Sequence, residues 1–313
     1  MFLVCGEALY DFFCDTRLGE PQSRLAYTAV AGGSPFNVAV GLARLQAPVG
    51  LLAGLSTDAL GENLVALLAR EGVAGDYLQR FEAPTTLAMV SLSGAGIPSY
   101  AFRGAGCADR ALEPRHLPEL DARVTALHFG SFSLVVEPVG STLRSLARRE
   151  RGRRLISYDP NVRLNPAPDI HQWRASVAEM VGMAHLVKVS DEDLALLYPQ
   201  VSIEQVANGW LEQGCELVFV TRGGEGAEAY SCGQACVRVA APVVQVRDTV
   251  GAGDTFQAAL LTWLHERSKA VPDQLRSLNA QDLEAMLHFA CKAAAVTCSR
   301  IGPDLPRRSE LQA

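Results

Sequence analysis

Short apolar runs alternate with longer segments of helical periodicity through most of the chain. The apolar runs lie at residues 2–5, 49–53, 124–129, 154–158, 185–189 and 216–220, and the helical segments lie near residues 35–46, 61–72, 138–151, 171–182, 202–213, 255–267 and 281–299. Strands that are apolar along their whole length and alternate with helices are typical of a mostly parallel sheet covered on both faces. The pattern therefore predicts an α/β fold, and 313 residues suit one large domain of this class.

Two regions interrupt this alternation, at about residues 8–30 and 85–107. Both contain aromatic or alternating apolar residues, and neither contains a helical segment. We predict that they form strands outside the main sheet and build a small β-sheet lid. The apolar face of residues 85–93 also predicts a homodimer in which one lid covers the other.

The composition excludes several classes of function. Lysine and arginine number 28 against 34 acidic residues, and the net charge of −6 argues against binding to nucleic acid or acidic membranes. The first residues lack the basic segment of a signal peptide, and no apolar run approaches the ~18 residues of a membrane span. Eight cysteines without a Cys-x-x-Cys pair and six histidines without metal-ligand spacing predict a reduced, cytoplasmic protein without structural zinc.

Residues 248–256, Asp-Thr-Val-Gly-Ala-Gly-Asp-Thr-Phe, give the strongest indication of chemistry. Gly251, Ala252 and Gly253 precede an apolar helix, and small residues at a helix N-terminus leave amide groups open to an anion. Asp254 follows at once, although a carboxylate would repel a phosphate that was merely bound there. The arrangement is explained if Asp254 takes a proton from a hydroxyl while the amides hold the phosphoryl group under attack. We therefore predict a phosphotransferase that acts on an alcohol.

Two segments near the N-terminus contain candidate ligands for that alcohol. Asp11 follows the first strand, and ligands of parallel α/β sheets bind beyond the carboxyl ends of strands. Gly32 and Gly33 permit close approach of the backbone, Asn37 offers a donor and an acceptor, and Ser34–Pro35 fits the N-cap and first position of a helix. Each segment also has a purely structural interpretation, as a turn aspartate and as a capped helix without a ligand.

Three later segments follow predicted strands and have two interpretations each. Asp159-Pro-Asn-Val-Arg163 could bind hydroxyls, phosphate or a hydrated metal, or form a surface loop with salt bridges. The acids in residues 188–193 could orient the waters of Mg²⁺, or form the first turn of a helix. The glycine-rich residues 221–226 could approach nucleotide phosphates, or form a hairpin turn. The chain contains no P-loop, protein-kinase or Gly-x-Ser-x-Gly motif.

Taken together, these motifs resemble the ribokinase-like (PfkB) family of carbohydrate kinases. The likeness rests on Gly-Gly-x-x-x-Asn at residues 32–37, Thr-x-Gly-x-x-Gly at 221–226 and Asp-Thr-x-Gly-Ala-Gly-Asp at 248–254, and it extends over about residues 6–303. Among family members, the bacterial fructokinases are the most similar. The resemblance implies a three-layer α/β/α sandwich with a mostly parallel central sheet and a small β-sheet lid.

The resemblance also implies roles for individual residues. Asp254 is the general base, and Gly251, Ala252 and Gly253 form the anion hole. The sugar is held by Asp11, Gly32, Gly33 and Asn37, with Arg163 near the sugar or the phosphates. The ATP site contains Lys188, Ser190, Thr221, Gly223 and Gly226.

The chain departs from the family pattern at three places. The family's Asn-x-x-Glu, which organises Mg²⁺, falls on residues 190–193, so Mg²⁺ would be held through water by Asp193 or Glu192. Arg103 replaces an aromatic residue, which implies altered contact with the sugar. Family members also use a monovalent cation such as K⁺ beside the anion hole, for which Asp248 is a candidate, but the following loop differs from the family pattern.

The function that we predict is ATP-dependent phosphorylation of a primary hydroxyl of a free sugar, with fructose as the expected substrate. A 2-keto-3-deoxygluconate kinase is the main alternative, and a nucleoside kinase is a weaker one. A sugar-binding sensor without catalytic activity is an alternative from a different class. The Gly-Ala-Gly-Asp sequence at 251–254 argues against the sensor, because binding alone requires no base.

Overall fold

The computed structural model describes residues 1–14, 23–92 and 98–311, and its largest element is an eight-stranded sheet. The strands follow the spatial order β14 (Val237–Val239), β13 (Ala227–Ser231), β12 (Leu217–Thr221), β11 (Leu186–Ser190), β10 (Leu155–Asp159), β9 (Ala126–Gly130), β1 (Phe2–Cys5) and β4 (Val49–Leu52). Neighbouring strands are parallel from β4 to β12, and β13 and β14 extend this sheet as an antiparallel hairpin.

Helices cover both faces of this sheet. They are α1 (Ser34–Arg44), α2 (Ala59–Glu71), α3 (Val139–Glu150), α4 (Ile170–Val181), α5 (Asp191–Leu197), α6 (Ile203–Glu212), α7 (Ala252–Glu266), α8 (Pro272–Leu275) and α9 (Ala280–Cys298). Side chains alternate between the faces of a strand, so Phe2 and Val4 pack with α1, α2, α7 and α9, whereas Leu3 and Cys5 pack with α3 to α6. The predicted α/β/α sandwich is therefore confirmed.

A separate four-stranded sheet is built from the two regions that interrupt the alternation. It contains β3 (Tyr27–Gly32), β2 (Leu9–Cys14), β7 (Leu87–Leu92) and β8 (Pro98–Arg103), in that spatial order. The parts of the predicted lid at residues 15–22 and 93–97 lie outside the described residues. Two short parallel strands, β5 (Gly54–Ser56) and β6 (Gln79–Phe81), form a third sheet.

The positions of the elements agree closely with the sequence pattern. The predicted strands of the main sheet end within about two residues of the observed ends, and the predicted helices within about three. Short elements such as α5, α8 and the strands β13 and β14 were not predicted as such. The acids at 191–193 occupy the first turn of α5, and residues 221–226 connect two antiparallel strands, so both segments have the predicted local structure. Their roles toward Mg²⁺ and the nucleotide stay predictions.

Two further predictions from the sequence concern the state of the cysteines and membrane-spanning segments. None of the eight cysteines, all within the described ranges, forms a disulfide, and five of them are buried. No helix within residues 1–14, 23–92 and 98–311 is both long and apolar enough to cross a bilayer.

Two helical glycines provide a matched test of the packing. A Cβ on Gly61, in the first turn of α2, would lie 2.0 Å from the Ser56 carbonyl oxygen, whereas a Cβ on Gly209 in α6 would meet open space. We expect Gly61→Ala to lower the free energy of unfolding by about 1–3 kcal/mol, because the backbone must shift. Gly209→Ala should raise it by about 0.5–1 kcal/mol through helix propensity. Urea titration of both variants measures this difference, and equal effects would contradict the packing described for α2.

Candidate active site

The functional residues predicted from the sequence gather beyond the carboxyl edge of the main sheet. Gly130 and Asp159 pair at the ends of β9 and β10, and Ser190 and Thr221 pair at the ends of β11 and β12. Helices α1 and α7 begin above this edge. This is where ligands bind in parallel α/β sheets.

Asp254 connects the first turns of α7 and α1. Its Oδ1 accepts a hydrogen bond of 2.6 Å from Ser34 Oγ, and its Oδ2 accepts one of 2.8 Å from Asn37 Nδ2. The carboxyl group is almost fully buried, and burial raises the pKa of Asp254 above its ordinary value, while these two hydrogen bonds oppose the rise. A buried carboxylate held by two donors has a defined orientation and a raised affinity for a proton.

The prediction that Ser34 caps α1 was wrong. Gly33 is the N-cap, with φ of 102°, and Ser34 is the first residue of the helix. The Ser34 hydroxyl is not used as a cap, because it donates to Asp254 instead. Gly33 is required at this turn, since a Cβ there would lie 2.9 Å from the Glu7 carbonyl oxygen.

The N-terminus of α7 has the geometry of an anion site. Gly251 is its N-cap in the left-handed conformation, with φ of 79°, and Ala252, Gly253 and Asp254 form its first turn. The Ala252 amide donates to the Thr249 carbonyl, whereas helix geometry leaves the amides of Gly253 and Asp254 without intrahelical acceptors. Free amides at a helix N-terminus attract phosphate.

A buried ion pair lies directly beneath this helix terminus. Lys188 Nζ is 2.8 Å from Asp159 Oδ2, and both side chains are almost completely buried. A Cβ on Gly253 would lie 2.9 Å from the same Nζ atom. A glycine at position 253 therefore leaves room for the Lys188 ammonium group beside the first turn of α7.

The acidic residues at the start of α5 have different environments. Asp193 is buried, its Oδ1 accepts a hydrogen bond of 3.1 Å from the Val162 amide, and burial together with Asp159 raises the pKa of Asp193. Ser190 is the N-cap of α5 and accepts a hydrogen bond from the Asp193 amide, so its observed role is structural. Glu192 is exposed.

The small sheet brings Asp11 to the same site. Burial raises the pKa of Asp11 to about 6, Arg163 opposes that rise, and Asp254 adds to it, so both groups lie within electrostatic range of Asp11. A Cβ on Gly32 would lie 2.5 Å from Asp11 Oδ2. Arg163 is exposed at the edge of this group.

Arg103 is not brought together with Asp11. Strand β2 pairs with β7 so that Asp11 lies opposite Ala88, and β7 pairs with β8 so that Ala88 lies opposite Phe102. Register partners share a face, so Phe102 lies on the Asp11 face of the sheet and Arg103 on the other. The predicted contact of Arg103 with a sugar thus lacks support in this arrangement.

The remaining predicted residues form the loops at the edge of the site. Asp248 accepts hydrogen bonds from the amides of Val250, at 3.0 Å, and Gly302, at 2.8 Å, and so joins the loop before α7 to the loop after α9. Gly223 and Gly226 both have positive φ, and a Cβ on Gly226 would lie 2.0 Å from the Val239 carbonyl oxygen. Thr221 Oγ1 donates weakly to the Val189 carbonyl, at 3.5 Å.

Glu7 is a buried acid to which sequence reasoning assigned no role. It accepts a hydrogen bond from Ser133 Oγ, and burial raises the pKa of Glu7 to about 7. Asp109 lies within electrostatic range, accepts from Thr86 Oγ1 and has a pKa raised to about 6, again by burial. Glu7 is separated from Ser133 by 126 positions, so the local pattern gave no signal of this contact.

Gln257 forms a second polar contact between α7 and the sheet. Gln257 Nε2 donates to Ser157 Oγ at 2.9 Å, and Ser157 Oγ lies 3.2 Å from His128 Nδ1. All three side chains are completely buried. Gln257 lies one turn after Asp254 and Ser157 two residues before Asp159, so this contact determines how the start of α7 meets the strand that ends at Asp159.

We expect Glu7→Gln to stabilise the protein above neutral pH. Burial raises the pKa of Glu7 from 4.5 to about 7, so the folded state loses stability as pH rises from about 4.5 to 7 and the carboxyl ionises. Glutamine removes this cost, which we expect to be about 1–3 kcal/mol at pH 8 and close to zero at pH 4.5. Urea titrations at both pH values provide the measurement. A stability difference that is the same at both would contradict the burial of an ionising group.

Comparison with known proteins agrees with this geometry. Residues 1–309 match the sequence model described as pfkB family carbohydrate kinase. The chain is 38% identical to a fructokinase of Rhizobium leguminosarum bv. trifolii over 90% of this chain and 85% of the relative. It is 33% identical to a fructokinase of Klebsiella pneumoniae over 99% and 97% of the two chains.

Solved structures of similar proteins have the same fold. A fructokinase from Xylella fastidiosa with bound ATP superposes with a TM-score of 0.86 at 27% identity, covering 99% of this chain and 96% of the other. A fructokinase from Vibrio cholerae O395 in a fructose-, ADP- and calcium-bound form gives 0.82 at 25% identity, with 99% and 97% coverage. With a match over nearly its whole length, the chain belongs to the pfkB family of carbohydrate kinases.

Proposed function

We propose that the protein is an ATP-dependent fructokinase, which transfers the γ-phosphoryl group of ATP to a primary hydroxyl of fructose. The observation that carries this proposal is the position of Asp254, a buried carboxylate held by Ser34 and Asn37 at the free N-terminus of α7. The relatives from Rhizobium and Klebsiella are fructokinases, and the similar structures contain ATP, or fructose with ADP. These likenesses support the choice of both substrates.

Asp254 is the proposed general base. Burial increases its affinity for a proton, while the hydrogen bonds from Ser34 and Asn37 keep its oxygens at fixed positions. In the proposed reaction it accepts the proton of the sugar hydroxyl as the hydroxyl oxygen attacks phosphorus. The amides of Gly253 and Asp254, which have no intrahelical acceptors, bind the oxygens of the transferring group, on which negative charge increases, and Gly251 and Ala252 complete the proposed anion hole.

The sugar lies between the small sheet and the start of α1 in this proposal. Asp11 accepts hydrogen bonds from hydroxyl groups, and Gly32 and Gly33 allow the sugar to approach the backbone closely. Asn37 has one amide hydrogen bond to Asp254 and presents its remaining polar groups to the ligand. Arg163 lies at the exposed edge of the proposed sugar site, where its guanidinium group can contact a sugar or a phosphate.

ATP lies along the ends of β11 and β12. Thr221, Gly223 and Gly226 line the turn that faces the nucleotide, and Ser190 pairs with Thr221 in the sheet. Because Gly223 has open space beside its Cα, the backbone there can approach the nucleotide. Lys188 is the basic residue closest to the transferring phosphate in this arrangement.

The acidic residues at the sheet edge suit a magnesium ion bound through water. Asp159 and Asp193 are buried carboxylates within electrostatic range of each other, and Mg²⁺ prefers one or two carboxylates together with waters and phosphates. The described residues contain no cluster of three or more acidic, histidine or cysteine ligands, which also favours binding through water. Asp193 would hold the ion, with Glu192 more distant, and the ion would neutralise phosphate charge.

Other proposals concern the surroundings of the site. Asp248 would contact a monovalent cation such as K⁺, although its carboxylate already accepts two backbone hydrogen bonds.

We further propose a homodimer through the small sheet and a cytoplasmic location. Sedimentation equilibrium tests the dimer, and cell fractionation tests the location.

A sugar-dependent assay of ADP release tests the proposed function. The enzyme is incubated with ATP, Mg²⁺ and one of fructose, 2-keto-3-deoxygluconate, ribose, other hexoses or adenosine. We expect the highest kcat/KM with fructose. Preference for 2-keto-3-deoxygluconate would assign Arg163 to a carboxylate instead, and binding of fructose without turnover would favour a sensor.

We expect Asp254→Asn to lower kcat by about 10²–10⁴-fold, with a much smaller effect on fructose affinity, because an amide cannot take the proton. Asp282→Asn is a matched control, since Asp282 occupies the same third position of a helix, in α9, and caps it together with Asn279. The control should retain normal turnover. Near-normal turnover in Asp254→Asn would exclude Asp254 as the base.

A further inference from the structure

Helix α1 begins against the segment that follows β1. A Cβ on Gly33, the N-cap of α1, would lie 2.9 Å from the Glu7 carbonyl oxygen and 3.2 Å from Glu7 Cγ. A Cβ on Gly6 would lie 2.3 Å from Pro35 Cγ. Gly33 and Pro35 flank Ser34, whose hydroxyl donates to the proposed base. Residues 6 and 7 therefore support the turn that holds this base.

The carboxyl group of Glu7 is held by the turn that follows β9. Ser133 Oγ donates a hydrogen bond to Glu7 Oε2, and Ser131 donates a second one to the same carboxyl group. All three side chains are almost completely buried. Ser131 has a φ of 65°, in the left-handed region that non-glycine residues seldom adopt. Glu7 thus joins the end of β1, the turn after β9 and the start of α1.

An acid at position 7 makes the folded protein less stable than a neutral side chain of the same shape would. Burial raises the pKa of Glu7 to about 7, so ionisation above neutral pH is unfavourable in the folded state. What ionisation adds is hydrogen-bond strength, because a carboxylate forms shorter and stronger bonds with hydroxyl donors than a neutral group does. The ionised side chain therefore holds the turn after β9 more firmly, at a cost in stability.

The groups that face Glu7 determine the pH at which it ionises. Burial is the largest effect, the hydrogen bonds from the two serines oppose it, and Asp109 raises the pKa of Glu7 further. Asp109 belongs to the short helical turn Ala108–Arg110, and Arg110 lowers the pKa of Asp109. Residues 34–37 of α1 contain no titratable side chain. The serines and Asp109 thus act on Glu7 in opposite directions.

We propose that Glu7 is a positioning residue for the phosphoryl transfer proposed above. Its ionised carboxylate, held by the two serines after β9, keeps the start of α1 in place. Ser34 and Asn37, in that first turn, then present Asp254 to the sugar hydroxyl in a fixed orientation. In this role Glu7 contacts neither substrate and receives no proton from them. The proposal rests on the kinase function.

Glu7→Gln should change stability and turnover in opposite directions at pH 8. The amide removes a buried charge, so the free energy of unfolding rises. Its weaker hydrogen bonds leave α1 less firmly placed, so we expect kcat to fall by about 10-fold, less than the ~10²-fold that a 1 Å misplacement can cause. A merely structural role predicts that the more stable variant keeps its turnover. Urea titration and steady-state kinetics on the same samples measure both.

The loss of kcat should depend on pH. At about pH 5.5 the native Glu7 is protonated, so Glu7→Gln should have the native kcat there. The difference should appear as pH rises through about 7, and taking the ratio of the two kcat values cancels the ionisation of Asp254, which both enzymes share. The KM for ATP should change by less than about twofold, because binding of the nucleotide does not depend on the start of α1. A ratio that is independent of pH would contradict the proposal.

Two neighbouring variants should move this pH dependence in opposite directions. Asp109→Asn removes a carboxylate that raises the pKa of Glu7, whereas Ser133→Ala removes a donor that lowers it. The midpoint, measured from the ratio of kcat before and after Glu7→Gln in each background, should fall in the first and rise in the second. Asp109→Asn is also the matched control for loss of a buried carboxyl group, since Asp109 accepts from Thr86 beside β7. It should keep the native kcat at pH 8, whereas Ser133→Ala should lower it.

Two measurements test whether Glu7 acts through Asp254. The Asn37 amide donates to the Gly33 carbonyl at 2.9 Å, in the first turn of α1. Its hydrogen exchange at pH 8 should be faster in Glu7→Gln than in the native enzyme. In the Asp254→Asn background, Glu7→Gln should have little further effect on the residual kcat, because the base is already lost. An equal loss of kcat in both backgrounds would overturn the proposed route.

The outcomes also separate this role from the kinase function. If the native enzyme releases ADP with fructose and folded Glu7→Gln keeps the native kcat at pH 8, the role of Glu7 is wrong and the kinase function stands. If Glu7→Gln does not fold, Ser133→Ala decides, since it leaves the acid in place, and a native kcat at pH 8 in that variant would overturn the role. Absence of sugar-dependent ADP release in the native enzyme would overturn the proposed function, and this role with it.

Discussion

The contact of Asp254 with Ser34 and Asn37 is the interaction on which the site depends. It joins the first turns of α7 and α1, which are separated by more than two hundred residues in sequence. Because the contact is buried, an unsatisfied carboxylate would be costly, and the two helices must therefore meet in one register. The free amides of α7 and the end of the small sheet are thereby brought to the same place.

Burial of acidic groups is the second constraint at this edge of the sheet. Asp11, Asp193 and Asp254 all have raised pKa values because each is withdrawn from water, and burial raises the pKa of Glu7 in the same way. Such a concentration of buried carboxyl groups lowers the stability of the folded protein. Proteins retain it at functional sites, where protons are transferred or cations are bound. Lys188 is the buried cation that balances part of this charge.

The sequence predicted the elements of the fold better than the contacts between them. Apolar periodicity identified the long helices and the strands of the main sheet, because these patterns are local. It did not identify α5, because a helix of only seven residues has too little periodic signal. Ser34 matched a helix cap by type, but a distant carboxylate competed for its hydroxyl. Arg103 was expected at the sugar, yet the strand register places it on the face opposite Asp11.

The amino-acid sequence by itself determined the class of fold, the glycine-rich start of α7 and the presence of a carboxylate there, since each follows from residue types at neighbouring positions. The tertiary structure decided which groups surround that carboxylate. Ser34, Lys188 and Glu7 acquire their partners only when distant strands and helices pack together, and no local pattern specifies such distances. Their burial, and hence their pKa shifts and chemical roles, is likewise a property of the folded chain, because water is excluded only after packing.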